Sequence, residues 1–520
     1  MRDQKRKFSR VVVTSITTTI CQVKNKEKTY SVKYSILREV DKINSLLMTE
    51  GRHYLIWFGH NNSYFGHRFR ELEALARLNG VMPDQLYVGS QPTTLSVDPY
   101  AVVWLPNNCL ARSICEQSVL IKFIAELWGS GVGDADVIKS IQSCMTDEKW
   151  NDVFGHSSFS YKVLSYGIQY TEKTRRDRMD AFARLFRGFE RVDLKKPDIV
   201  LHIVDLFGHS SDQTGPREDS LSEKSMTFYA REVAVCSSWR QKYVLTDRPV
   251  LGPTSLDNDL AFLMANMAEI KLGDFVFDPF CGTGGLLVAA TARGGIPQVG
   301  TDIDVRVLKG ECVSYIRNLV KEEMGTDIFQ NFNHYSLASP EIVACDNAHN
   351  CWRNKHGRGV FDAILTDPPY GVRAGAKQIG QKAPHEIGSR DDYFPQMVGY
   401  LPDEVNSDLM SLAASALVSG GVLVYLLHVE LMSLFTEAEL ACMPRESGVK
   451  SGRTKIMVQP SSGREYVYAN ECARDLAFID ESRLARVLPT HVDLRLESAV
   501  LQILSAGTGR ILVKMRRCVR

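Results

Sequence analysis

Phe275-Val-Phe-Asp278-Pro-Phe-Cys-Gly282-Thr-Gly284-Gly285 is a short apolar run that ends in an acid and passes straight into a glycine turn. Leu286 to Arg293 then reads as a helix rich in Leu, Val and Ala. Strand, glycine turn and helix let a ligand approach backbone N–H groups at a helix N-terminus. The spacing is not a dinucleotide fingerprint, because the usual third glycine is out of place, and no Gly-Lys-Ser/Thr follows to make a Walker loop. Val299-Gly-Thr-Asp302-Ile-Asp304 is a second strand ending in acid, where a ribose-binding carboxylate belongs. Asp302 comes first after the strand; Asp304 is better placed to cap the next helix. Ile342-Val-Ala-Cys-Asp346-Asn347 and Phe361-Asp-Ala-Ile-Leu-Thr-Asp367 follow the same rule. Strands ending at Asp278, Asp302, Asp346 and Asp367 predict an α/β fold with a parallel sheet. Its carboxylates line the edge outside which such sheets bind ligands.

The last of these strands runs into Asp367-Pro368-Pro369-Tyr370. The exocyclic amine of a nucleobase is a poor nucleophile, because its lone pair is delocalised into the ring. The Asp367 carboxylate and the Pro368 carbonyl can both accept hydrogen bonds from such an NH2 group, drawing its nitrogen toward tetrahedral geometry. The prolines fix the backbone so that these acceptors converge, and Tyr370 is placed to stack on a base. A plain strand followed by a Pro-Pro turn would show the same residues without the chemistry.

Together with Gly252-Pro-Thr-Ser-Leu-Asp257, Met264-Ala-Asn-Met267, Gly300-Thr-Asp-Ile-Asp304 and Thr366-Asp-Pro-Pro-Tyr-Gly371, these motifs make the chain resemble a class I S-adenosylmethionine-dependent methyltransferase. More closely, it resembles the eukaryotic tRNA guanine-10 N2-methyltransferase family. Tyr54-Leu-Ile-Trp-Phe-Gly59 with Phe69-Arg-Glu-Leu-Glu-Ala-Leu75 is similar to that family's N-terminal domain. Phe189-Glu-Arg-Val-Asp-Leu-Lys-Lys-Pro-Asp198 is similar to part of its THUMP domain, and Leu488-Pro-Thr-His491 to its C-terminal segment. The likeness spans roughly residues 50 to 515. It implies a Rossmann-like methyltransferase domain preceded by an α+β, THUMP-like RNA-binding region. Asp278 and the loop at Gly282 and Gly284 would hold the methionine portion of S-adenosylmethionine, Asp302 the ribose hydroxyls, and Asp346 the adenine amine. Pro279, Phe280, Ile303 and Asn347 count as cofactor-binding beside them, and Asp367, Pro368, Pro369 and Tyr370 as catalytic. The resemblance also implies a tRNA substrate and a small activator subunit on the methyltransferase sheet. One departure from the family pattern is Cys281, where Val is more usual; both are small and apolar.

Composition bounds this picture. At 520 residues the chain has room for two to four domains, and its 44% apolar and 24% charged residues are those of an ordinary globular protein. Net charge is +1, so any grip on RNA must come from local patches. Twelve cysteines without a C-x-x-C pair read as reduced thiols of a cytoplasmic compartment. Cys345, His349, Cys351 and His356 fit no common zinc module, and no metal is expected. Residues 410 to 429 carry no formal charge, but Gly420-Gly421 divides them into a helix-forming half and a β-branched half. A buried helix, a glycine turn and a central strand are expected there rather than a membrane span.

Three regions follow: a basic extension over 1–50, an α+β RNA-binding region over 51–225, and the methyltransferase domain over 226–520. Residues 1 to 35 hold nine Lys/Arg against Asp3 and Glu27, which reads as a dispensable extension, with a mitochondrial presequence as the alternative. In the second region Tyr54–Phe58, Leu86–Val88 and Tyr100–Leu105 read as strands; Glu71–Leu78 and Ser118–Trp128 read as helices. Lys162 to Lys196 holds ten basic residues with Phe182, Phe186 and Phe189 interleaved, the best candidate for contact with tRNA phosphates. Ser210–Glu223 reads as a surface loop. Between Gly371 and Phe394, Arg373, Lys377, Lys382 and Arg390 make a flexible basic loop placed to close over a flipped nucleotide. The expected reaction is methyl transfer from S-adenosylmethionine to the N2 of a tRNA guanine. An N6-adenine methyltransferase on RNA or DNA and a non-catalytic RNA-binding protein keeping the fold are the alternatives.

Overall fold

The computed structural model describes residues 52–59, 64–88, 91–92, 98–207, 224–252, 255–310, 315–316, 327–349, 352, 358–370, 376–380, 397–436, 438, 455–459, 465–468, 481–504 and 507–518. The readings of residues 1–50 and 210–223, of Cys351 and His356, and of most of the 371–394 loop lie outside the described residues.

Seven strands form the first sheet: β1 (Arg52–Phe58), β2 (Tyr100–Leu105), β3 (Ile121–Gly131), β4 (Ser158–Tyr166), β5 (Arg191–Val192), β6 (Ile199–Phe207) and β7 (Lys224–Val235). Their order is β2-β1-β3-β7-β6-β4-β5, antiparallel from β1 to β6 and parallel from β6 through β4 to β5. Helices α1 (Arg68–Leu78), α2 (Asn108–Gln117), α3 (Asp134–Cys144), α4 (Asp147–Phe154) and α5 (Glu172–Ala181) complete an α+β unit. Local chemistry starts two of them: the Asn107 side chain accepts from Leu110 N at 3.0 Å, and Thr171 from Thr174 N at 3.1 Å.

Three expectations for this unit need correction. Ser118–Trp128 is not a helix; most of it is β3, the strand between β1 and β7. Ile121, Phe123, Ile124, Ala125 and Trp128 are all buried, so both faces are covered and the period-two signal of a half-exposed strand is lost. Leu86 ends a short helix, Pro83–Leu86, rather than starting a strand. β7 carries the unit to Val235, past the boundary expected at 225, because its backbone pairs with β3 on one side and β6 on the other.

The second sheet is built from β8 (Val276–Asp278), β9 (Gln298–Asp302), β10 (Glu341–Ala344), β11 (Phe361–Thr366), β12 (Leu417–Glu430), β13 (Leu494–Ile503) and β14 (Thr508–Arg517). Its order is β10-β9-β8-β11-β12-β14-β13. The first five strands are parallel, and β14 runs antiparallel to both its neighbours. Helices α6 (Asn258–Met267), α7 (Gly285–Ala292) and α8 (Pro402–Ala416) flank it. Val276, Phe277, Ala363, Ile364, Leu423 and Val424 are almost fully buried, as central parallel strands covered on both faces require. The helix-then-strand reading of 410–429 holds, but the joint lies at Ala416/Leu417 rather than at the glycines. Gly420, with φ +80°, instead forms a bulge inside β12, where the register against β11 jumps between Phe361 and Ala363. Among the described residues no helix is long and apolar enough to cross a membrane.

The two sheets share a core. Phe69, Leu72 and Leu75 of α1 belong to one apolar cluster with Phe262, Leu263 and Met264 of α6 and with Leu287 of α7. At its centre the buried Glu71 carboxylate accepts from Ser118 Oγ and Val119 N at 2.7 Å, Leu120 N at 3.0 Å, and Asn266 Nδ2 of α6 at 2.7 Å. A second bolt is ionic. Glu269 binds Arg77 of α1 at 3.1 Å and Arg516 of β14 at 2.9 Å, and also pairs with Lys514.

Candidate active site

The parallel strands bring their terminal acids together at one cleft. A cavity of ≈ 850 Å³ opens there, with Asp278, Gly282, Asp302, Asp346, Asp367 and Tyr370 on its walls. The glycine turn takes its shape from backbone that other residues rarely adopt: φ is +51° at Gly282 and +79° at Gly284, the N-cap of α7. Asp302 Oδ2 accepts from Gly282 N at 3.0 Å, tying the end of β9 to this turn, while Oδ1 accepts from Asp304 N at 2.9 Å. Asp304 itself caps the next short helix by accepting from Arg306 N at 3.0 Å, the structural role expected for it.

Asp278 is 1% exposed, and burial raises its carboxyl to a pKa of about 7. Thr366 Oγ1 donates to its Oδ1 at 2.8 Å and Phe280 N at 3.1 Å, which partly offsets the loss of water. Thr301 Oγ1 donates to the Pro279 carbonyl at 3.0 Å, and the Asn347 side chain reaches the same oxygen. Pro279 and Asn347 therefore help shape the turn itself.

Asp367 follows β11 directly. Burial raises its pKa to about 6, with the Arg510 charge acting the other way. Its Oδ1 is buried and has no hydrogen-bond partner among the described residues. A buried carboxylate oxygen left unpaired is costly, so a donor is expected from outside the protein. Beyond the two prolines, the Tyr370 ring stacks on His428 at the end of β12, with centroids 3.3 Å apart and planes at 20°. Burial lowers His428 to about 4, with Arg510 adding to the effect, so this imidazole is neutral near pH 7. His428 and Arg510 face each other across the β12–β14 pair.

Two family models match the chain: a "Tmrp11 THUMP N-terminal domain" over residues 52–235 and an "RMKL-like, methyltransferase domain" over 246–390. The tRNA (guanine(10)-N(2))-methyltransferase TRMT11 of Bos taurus is 30% identical over 370 residues, 70% of this chain and 76% of its own. The Saccharomyces cerevisiae tRNA (guanine(10)-N(2))-methyltransferase is 30% identical over 376 residues, covering 69% of this chain and 80% of its own. This chain belongs to the tRNA (guanine(10)-N(2))-methyltransferase family. Among more distant solved structures, TrmN from Thermus thermophilus aligns over 89% of this chain and 99% of its own, at 16% identity and a TM-score of 0.37.

The remaining site residues of this family member differ in how free they are. Asp346 accepts from Ala348 N at 3.0 Å, from Ile379 N at 2.7 Å, and pairs with His349 Nδ1 at 2.9 Å. Both its oxygens are engaged by protein, and Ile379 belongs to a small hairpin (Lys377–Ile379 with Met397–Gly399) that reaches in from the segment after the catalytic turn. Phe280 packs with Ala376, Tyr400 and Val405 beside that hairpin. Thr366, Thr301 and His428 escaped the sequence reading. Only Thr366 carried a signal there, as the polar residue closing an otherwise apolar strand.

Proposed function

We propose that this chain transfers a methyl group from S-adenosylmethionine to the exocyclic N2 of guanosine 10 in tRNA, giving N2-methylguanosine. Membership of the family supports the reaction. The single observation that carries it is the unpaired, buried Asp367 Oδ1 at the strand end, facing the cleft beside the glycine turn. The turn at Gly282 and Gly284 leaves backbone open to a ligand; a Cβ at Gly282 would meet nothing within 4 Å. Asp278 suits the cofactor's ammonium group and Asp302 its ribose hydroxyls, and Ile303 and Asn347 flank the same cleft. Asp346 would take the adenine amine only beside the partners it already holds.

S-Adenosylmethionine supplies an electrophilic methyl carbon, so the protein's work is mostly alignment. Asp367 Oδ1 and the Pro368 carbonyl accept the two N–H bonds of the guanine amine and turn its lone pair outward. Tyr370, stacked on His428, stands on the cleft wall where a base can pack against it. Asp367 need not act as a strong base: the proton can leave after the carbon–nitrogen bond has formed.

For the substrate's body, the exposed side chains Lys173, Arg176, Arg184, Lys195 and Lys196 around α5 and β5 offer charge to phosphates, with Phe189 44% exposed among them. Lys162, Arg178 and Arg187 are spoken for by Glu232, by Asp134 and Asp205, and by Asp147. A small activator subunit on the methyltransferase sheet and a cytoplasmic location complete the proposal; buried thiols such as Cys115 and Cys281 are in keeping with a reducing compartment.

The test is incubation of the purified chain, with and without a candidate activator, with labelled cofactor and unmodified tRNA, followed by nucleoside mass spectrometry. N2-Methylguanosine is expected. N6-Methyladenosine in its place would move the reading to an adenine methyltransferase. No labelled product together with no calorimetric binding of S-adenosylmethionine would leave a non-catalytic RNA binder.

A further inference from the structure

Among the described residues Arg248 is a cation with no anion beside it. It is 1% exposed, yet it lines the cleft. Its Nε and Nη1 have no hydrogen-bond partner among the described residues. Burial lowers its pKa, and among the described residues the Tyr335 hydroxyl acts on its charge but no carboxylate does. A guanidinium taken out of water without a counter-charge is strongly unfavourable, so such a site is built for a ligand that brings one.

The surroundings say where that ligand sits. Nη1 points at the first turn of α7: a Cβ placed on Gly285 would stand 3.2 Å from it, so only glycine leaves the space open. The α7 N-terminus has no side-chain cap, since Gly284 stands at the N-cap. Its free N–H groups and its dipole favour negative charge at the spot the guanidinium faces. The segment carrying Arg248 is pinned to the glycine turn by Asn331. The Asn331 side chain accepts from Val250 N and donates to the carbonyls of Val250 and Thr283, each at 2.9 Å. A buried cation held this firmly against a helix start is a preorganised carboxylate receptor.

We propose that Arg248, with the first N–H groups of α7, binds the carboxylate of the methionine moiety of S-adenosylmethionine. The assignment rests on the cofactor reading above and adds the missing half of a zwitterion site: Asp278 for the ammonium, Arg248 for the carboxylate. No motif marks Arg248 in the sequence, where Asp247-Arg248-Pro249 reads as an ordinary turn.

Calorimetry on the full chain with S-adenosylmethionine and with its decarboxylated analogue tests this. The analogue keeps the sulfonium, amine and adenosine and lacks only the carboxylate. A charged hydrogen bond of this kind should make the wild type bind the analogue about 10- to 100-fold more weakly. Arg248→Met should bind S-adenosylmethionine about as weakly as the wild type binds the analogue, with the preference between the two compounds collapsing toward one. Circular dichroism verifies that the variant is folded; should it not fold, Arg248→Lys, which keeps the charge but loses the fork, should show a preference reduced but not abolished. A folded Arg248→Met or Arg248→Lys with the full wild-type preference overturns the assignment. So does a wild type that binds both compounds equally. A wild type that binds neither sinks the cofactor reading and this assignment with it.

Discussion

At the scale of single residues, the site holds three acids, Asp278, Asp302 and Asp367, whose pKa burial raises. On the proposed mechanism Asp367 must be ionised to accept from the substrate amine, and burial raises its carboxyl to about 6. Protonation removes the acceptor, so kcat/KM should fall about tenfold per pH unit below about 6 and level off above it. His428, near 4, contributes no step in that range. Asp367→Ala should abolish turnover, with no product detected by nucleoside mass spectrometry, while calorimetric affinity for S-adenosylmethionine stays within about threefold; normal methylation by that variant would show that the amine binds elsewhere. Asp278→Asn should stabilise the ligand-free chain by about 1–3 kcal/mol at pH 8, because folding then buries no charge at this position. The sign follows from its raised folded pKa: the native state binds the extra proton, and Asp278 loses stability for the native state as pH climbs through about 7. A thermal melt of both proteins should show the gap nearly closed at about pH 3.5, partly open at about pH 5 and fully open at about pH 8, since the unfolded carboxyl ionises from about 4. Asp278, Asp302 and Asp367 were legible in the sequence because each closes an apolar run. His428 and Arg248 were not, because what defines them is a neighbour brought up from a distant part of the chain; Thr366 showed only as the polar end of its strand.

At the scale of elements, the parallel strands were readable and their surroundings less so. Continuous apolar runs bounded by acids gave β8, β9 and β11 nearly residue by residue. β3 was lost to the same cause that makes such strands stable: covered on both faces, it has no alternation to distinguish it from a buried helix. Gly420-Gly421 misled for a related reason, since a glycine pair marks a change of backbone direction whether it ends a helix or bulges a strand. The glycine in the middle of β9 is under tighter constraint. A Cβ at Gly300 would stand 2.7 Å from Leu287 Cδ1 and 2.9 Å from both Cys281 Sγ and Ile342 Cδ1. Gly300→Ala should therefore cost about 1–3 kcal/mol in denaturant unfolding and loosen the turn above it. On α5, which buries no residue, Lys173→Ala with Arg176→Ala should weaken all tRNAs alike. The slope of log affinity against log salt should fall by about 2, with cofactor affinity unchanged. A wild-type salt slope in the double variant would assign α5 to solvent.

At the scale of the whole molecule, the two sheets are joined by a common apolar core, with one buried acid at its middle. Truncating Glu71 would strand donors on both sides of the joint: Ser118, Val119 and Leu120 on one and Asn266 on the other. Glu71→Ala should cost about 3–5 kcal/mol in global stability, read as a single cooperative transition at lower denaturant, because both sheets lose the same support. Two transitions in place of one would mean that the halves stand independently. That shared core turns the protein into a calliper. With one jaw at the exposed lysines and arginines of α5 and the other at the end of β11, the span between them is fixed by packed side chains. On the proposed grip at α5, the modified nucleotide is selected by its distance along the folded RNA, so a tRNA lengthened by one base pair between grip and target should go unmethylated even with its guanine intact.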